Sequence, residues 1–193
     1  LKPDLASFSG HKLGAPRGVG FLYIRPGLHL RPLMKAGGQQ DGLRGGTENA
    51  PLFEAMTTAL LQANEQAEAQ AQHATRLREI TLAELDAHEL AYTLNVGTRE
   101  AAPTPAILNI AFPGLKGETL LHLLERDDFQ LSTASACTTK RGDSHVLTAM
   151  QLPTEQREGS LRISYALSNT EDEAKQLGQA IAKHVSWLRS VLN

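Results

Sequence analysis

From about Ala50 to Ala87 the chain is chiefly alanine, leucine, glutamate and glutamine. These residue types lose least on entering a helix. The stretch therefore reads as two helices or one long bent helix that links two bodies. Thr47 or Asn49 supplies the side-chain oxygen that caps it.

The 193 residues, 41% of them hydrophobic, suffice for one good-sized domain or two small ones around a packed core. Nineteen basic and 21 acidic residues give a net charge of -2, with no electrostatic reason to expect nucleic acid or an anionic membrane as partner. No apolar run reaches the length of a membrane span, and the first residues show no basic segment followed by an apolar one, so the expected location is the cytoplasm. Cys137 is the one cysteine, which leaves no internal disulfide and fits a reducing compartment. The seven histidines lack the spacing of a metal site, and no metal is expected.

Residues 3–8 and 19–24 read as two short buried strands joined by a loop carrying Gly14, Pro16 and Gly18. "KAGGQQDGLRGGTEN", with five glycines and little apolar content, reads as a long surface loop. After the helical stretch, "AYTLNVGT", "PAILNIAFPG", "FQLSTA" and "GSLRISYAL" read as strands. "KGETLLHLLERD" and "SHVLTAMQ" read as helices, and a closing helix follows Asn169 or Thr170 as cap. The order of elements is that of an α/β chain with a compact second half.

Three places carry candidate chemistry. Lys12 follows Ser9, Gly10 and His11 just past a strand end. A lone lysine there is ordinarily a solvated charge. With a hydroxyl and an imidazole beside it, the set can bind a phosphate while the amine forms a Schiff base, given partial desolvation in a crevice. Cys137 lies in the polar tract "STASACTTKRGDSH", where little is available to bury a sulfur and where Lys140 and Arg141 favour the thiolate of a nucleophile. Arg162 interrupts the apolar "LRISYAL", and an inward arginine requires an anion, either a structural carboxylate or that of a substrate.

Taken in order and spacing, "SFSGHKLGAPRGVGFLYIR", "GGQQDGLRGGTENA", "SACTTKRGDSHVLTAM" and "LRISYALSNTEDE" resemble the second half of a cysteine desulfurase. That family consists of pyridoxal 5'-phosphate enzymes of the class V aminotransferases, with the aspartate aminotransferase-like fold (fold type I). The resemblance implies that residues 1–67 are a C-terminal slice of the large cofactor-binding domain. Residues 68–193 would then be the small α+β domain, and the family's first half would be absent. It further implies that Lys12 bonds covalently to the cofactor, that Ser9 and His11 hold its phosphate, and that Thr47 reaches a phosphate in the neighbouring subunit of a homodimer. Arg162 corresponds to the arginine that grips the substrate carboxylate, and Cys137 to the loop cysteine that receives sulfur.

The activity so implied takes sulfur from L-cysteine, giving L-alanine and a persulfide on Cys137. The persulfide would pass to an acceptor protein, either an iron-sulfur scaffold or a thiolation enzyme. Two other readings share these residues. One is a selenocysteine lyase or another class V aminotransferase. The other is a noncatalytic module for dimerisation or acceptor docking.

Overall fold

The computed structural model describes residues 2–34, 36–96, 104–133 and 144–192. They fall into two compact units, residues 1–67 and 68–193.

In the first unit, β1 (Leu5–Ser9) and β2 (Gly20–Ile24) form an antiparallel pair, with Leu5 opposite Ile24 and Ser9 opposite Gly20. Phe8 and Phe21 face each other across the pair with stacked rings 4.5 Å apart, a cross-strand contact of the kind that stabilises an isolated ribbon. The expectation of buried strands fails here. Leu5, Phe8, Phe21, Leu22 and Tyr23 are all exposed, because a sheet of two strands has no further strand or layer to cover it among the described residues. A short 3-10 turn, Gly10–Leu13, follows β1. Its last residue, Leu13, packs with Ala15 and Val19 and with Met56 and Ala59 of α1 (Ala50–Glu65) in a small apolar cluster. Asn49 caps α1, accepting from the Leu52 amide at 3.3 Å.

The helical stretch is two helices. It breaks at Gln66, and α2 runs Ala67–Ala87. In the second unit β3 (Thr93–Leu94), β4 (Ile107–Ala111) and β5 (Ser160–Ser164) form an antiparallel sheet in that order. The strand expected at "AYTLNVGT" thus shortens to two residues, and that at "FQLSTA" to a single bridge between Ser132 and Arg162. Helices α3 (Gly117–Arg126), α4 (His145–Ala149), α5 (Thr154–Glu158) and α6 (Glu171–Leu192) are the other helices among the unit's described residues. The sequence reading missed α5, which is only five residues long and follows Pro153. Among the described residues no helix is long and apolar enough to cross a membrane.

The core lies on one face of this sheet. Leu108 and Ile110 of β4 and Leu161 and Ile163 of β5 meet Leu77 and Leu85 of α2, Leu120 and Leu124 of α3, and Ile181 and Val185 of α6. The helical positions recur at four- and eight-residue intervals, the spacing that puts them on one stripe. α2 and α6 approach closely where Thr81 meets Gly178. A Cβ built on Gly178 would lie 2.6 Å from Cβ of Glu84 and 3.1 Å from the Thr81 carbonyl oxygen. Thr81, fully buried, satisfies its hydroxyl there. It receives the Tyr165 hydroxyl at 3.0 Å and lies 3.1 Å and 3.2 Å from the carbonyls of Leu77 and Ala174. Burial pushes the Tyr165 phenol up to about 12.

Two charged contacts tie α6 down. At its start Thr170 and Glu173 form a capping box: the Glu173 amide donates to Thr170 Oγ1 at 3.2 Å and the Thr170 amide to Glu173 Oε2 at 2.8 Å. That backbone hydrogen bond, with help from Asn169, holds the Glu173 carboxyl below its usual range. Further along, Asp127 receives His184 at 2.8 Å and Lys183 at 3.2 Å. The hydrogen bond from His184, then that from Lys183, lowers its carboxyl likewise.

Gly178→Ala should destabilise the protein by about 1–3 kcal/mol through overpacking, although alanine is the better helix former. A shift of the urea midpoint to lower concentration checks this. Because the Asp127 carboxyl is lowered in the fold, its contribution is full above the ordinary carboxylate range near about pH 4 and is lost as pH falls through the folded-state value. Asp127→Asn should therefore lower stability at neutral pH and flatten its decline in acid, as read from melting temperature against pH.

Candidate active site

Ser9 ends β1, and His11 and Lys12 sit in the 3-10 turn that follows. Gly10 is what lets that turn lie against β2. A Cβ on it would meet Val19 Cγ1 at 2.9 Å and the Val19 carbonyl oxygen at 3.0 Å, so no side chain fits between them. The Gly10 amide donates to the same Val19 carbonyl at 2.9 Å, and the amides of Gly14 and Ala15 donate back to the Gly10 carbonyl. A rigid turn thus presents a hydroxyl, an imidazole and an amine within four residues. None of the three side chains has a hydrogen-bond or ion-pair partner among the described residues.

All three are exposed. Among the described residues of the first unit no crevice closes around Lys12, where the two-stranded ribbon and α1 flank the turn. Thr47 lies in the exposed segment that leads to Asn49 and α1, and it makes no hydrogen bond with Ser9, His11 or Lys12. The glycine-rich loop before it places Gln40 and Asp41 in left-handed backbone, φ 51° and 55°. For residues with a Cβ this costs of order 1 kcal/mol each.

Arg162 belongs to the second unit, in β5. Its amide donates to the Ser132 carbonyl at 2.6 Å and its carbonyl accepts from the Ser132 amide at 3.2 Å. Across the other edge of β5 it stands opposite Asn109. Its side chain lies on the sheet face away from the core, half-buried, and its Nε is buried without a hydrogen-bond partner among the described residues. A buried guanidinium nitrogen with no acceptor is a position that an anion would complete. Cys137, with Lys140 and Arg141, lies outside the described residues.

The same face carries polar residues that the sequence reading did not single out. Asn95 Nδ2 donates to Asn109 Oδ1 at 2.6 Å and to Ser160 Oγ at 2.7 Å, and Asn95 Oδ1 accepts from Gln156 Nε2 at 2.6 Å. Ser160 Oγ donates to the Gln156 carbonyl at 2.6 Å. The signal available was an asparagine within each of the apolar runs "TLNV" and "ILNIAF".

The residues present fit pyridoxal 5'-phosphate by the chemistry of their donors. Ser9 and His11 offer unpaired hydrogen-bonding groups to a phosphate, and the Lys12 amine offers a nucleophile to an aldehyde.

A model of the family described as aminotransferase class V matches residues 1–177. The chain is 39% identical over 179 residues to a NifS/IcsS protein homolog of Lactobacillus delbrueckii subsp. bulgaricus, covering 90% of this chain and 45% of that protein. It is 35% identical over 190 residues to the cysteine desulfurase NifS of Azotobacter vinelandii, covering 97% and 46%. Among solved structures, a NifS-like protein superposes with a TM-score of 0.80 at 34% identity, over 95% of this chain and 46% of that one. The chain spans about half the length of the curated relatives it matches. By sequence and by the mixed α/β fold that it shares with a fold type I enzyme, the chain belongs to the class V aminotransferase family.

Proposed function

We propose that this chain carries the C-terminal catalytic machinery of a cysteine desulfurase, which converts L-cysteine to L-alanine and holds the sulfur as a persulfide on Cys137. The observation that supports this most directly is the unpartnered Ser9, His11 and Lys12 set on one rigid turn, in a chain of this family. In this reading residues 1–67 are a slice of the large cofactor-binding domain and residues 68–193 the small domain.

Pyridoxal 5'-phosphate, when bound through Lys12, supplies an electron-withdrawing ring that acidifies the proton on the substrate α-carbon. Ser9 and His11 hold the phosphate. Thr47 reaches the phosphate in the partner subunit of a homodimer. Arg162 grips the substrate carboxylate through its guanidinium, which fixes the amino acid for reaction. The Lys12 amine, once free, takes and returns the α-carbon proton.

Cys137 acts as a thiolate on the substrate sulfur: a sulfur–sulfur bond forms while the carbon–sulfur bond breaks. The released electron pair goes to the β-carbon, which takes up a proton and leaves as L-alanine. A thiolate suits this attack because it is strongly nucleophilic even when only a fraction of the thiol is ionised. The persulfide then passes to an acceptor protein, an iron-sulfur scaffold or a thiolation enzyme, by exchange with an acceptor thiol.

Incubation with pyridoxal 5'-phosphate, borohydride reduction and peptide mapping should place the label on Lys12, and Lys12→Ala should lose it. Labelling spread over other lysines, unchanged in Lys12→Ala, would overturn the assignment. In preparations that form persulfide from L-cysteine, Cys137→Ser should abolish the persulfide and leave the Lys12 label intact, as read by mass spectrometry.

A further inference from the structure

We propose that Asn109 is a second, uncharged donor to the carboxylate held by Arg162, with its amide oriented by the buried relay through Asn95, Ser160 and Gln156. The proposal rests on the carboxylate role given to Arg162 above.

The strand register brings the two residues together. Asn109 and Arg162 stand opposite each other in β4 and β5. Arg162 directs its own amide and carbonyl to Ser132, and the Asn109 carbonyl accepts from the Asn95 amide at 2.9 Å. The pair is therefore of the type without hydrogen bonds between its members, in which opposed Cβ atoms lie about 4.5–5.5 Å apart on one face.

The relay decides which end of the Asn109 amide is left over. A backbone carbonyl only accepts, so the Ser160 hydroxyl, 2.6 Å from the Gln156 carbonyl, commits its single proton there. Ser160 Oγ must then accept from Asn95, which makes the facing atom of Asn95 its nitrogen. The two protons of that nitrogen are matched by two acceptors, Ser160 Oγ and Asn109 Oδ1, and Gln156 Nε2 fills Asn95 Oδ1. With its oxygen taken, Asn109 has its Nδ2 remaining. That group makes no hydrogen bond among the described residues.

Two neighbouring side chains on one sheet face thus each keep a donor without an acceptor, Arg162 Nε and Asn109 Nδ2. An excess of donors beside a positive charge selects a ligand rich in acceptors and negatively charged, the description of a carboxylate.

The test titrates the nitrogen-15-labelled 193-residue chain with L-alanine and, separately, with ethylamine, which keeps an amine and lacks the carboxylate. The Asn109 side-chain amide and the Arg162 Nε–H signals should both move with L-alanine and with neither should ethylamine act. Asn109→Ala should weaken the L-alanine affinity read at Arg162 roughly tenfold or more, the effect of a hydrogen bond to a charged group. Asn109→Asp, which opposes a carboxylate with another, should abolish the shift. Movement of the Arg162 signal without the Asn109 amide, or an affinity unchanged in Asn109→Ala, would overturn this proposal and leave the role of Arg162 standing. No movement at either residue would overturn both. The titration of the unsubstituted chain decides the matter even if a variant fails to fold.

Discussion

The register of β4 against β5 is the constraint on which the second unit depends. With Leu108 opposite Ile163 and Ile110 opposite Leu161, four apolar side chains face the helices. Asn109 and Arg162 are thereby turned to the other side. A slip of one residue would carry the arginine into the core and the leucines out of it. Arg162 tolerates no such move, because its buried Nε already lacks an acceptor and an unpaired guanidinium among Leu77, Leu120 and Ile181 would be far costlier. The hydrophobic effect that selects the register therefore also positions the polar face, and no separate device is needed to aim the arginine.

The first unit shows the opposite economy. Its ribbon leaves five large apolar or aromatic side chains exposed, and its small cluster rests on Ala15, Met56 and Ala59. Little apolar burial holds this unit together, yet its turn at Gly10 is tightly specified by the close approach of Val19. Precision here is local. It comes from backbone hydrogen bonds and from a position where only glycine fits, which is why three donors can be displayed on so small a body.

Much of this was legible in the sequence, for physical reasons that differ from place to place. α3 and α6 follow from apolar stripes at helical spacing, and the cap of α6, which the sequence narrows to Asn169 or Thr170, is Thr170 in its reciprocal pair with Glu173. β1 and β2 were readable as strands within a residue or two, but not their exposure, since alternation and composition report what a strand can bury and not whether anything covers it. The edges of the three-stranded sheet were over-read: at "AYTLNVGT" and "FQLSTA" the local β propensity is satisfied by two residues and by one bridge. Lys12 and Arg162 stood out as charges beside apolar segments. Asn95 and Asn109 did not, because the meaning of a neutral amide lies in its partners, and those come from residues as distant in sequence as Ser160 and Gln156.

That distinction bears on why an amide, and not a second charge, would stand beside Arg162. A lysine opposite it would repel the guanidinium across a short cross-strand distance, and an aspartate would pair with it and compete with any incoming carboxylate. An asparagine does neither, but its amide is as ready to present oxygen as nitrogen. Its usefulness as a donor depends on having that choice removed. The Gln156 carbonyl removes it at the far end of the relay, and each hydrogen bond passes the decision on by allowing only one orientation at the next residue. A buried polar network in which every member has a partner can thus set the polarity of its exposed end, and here that end lies beside the arginine.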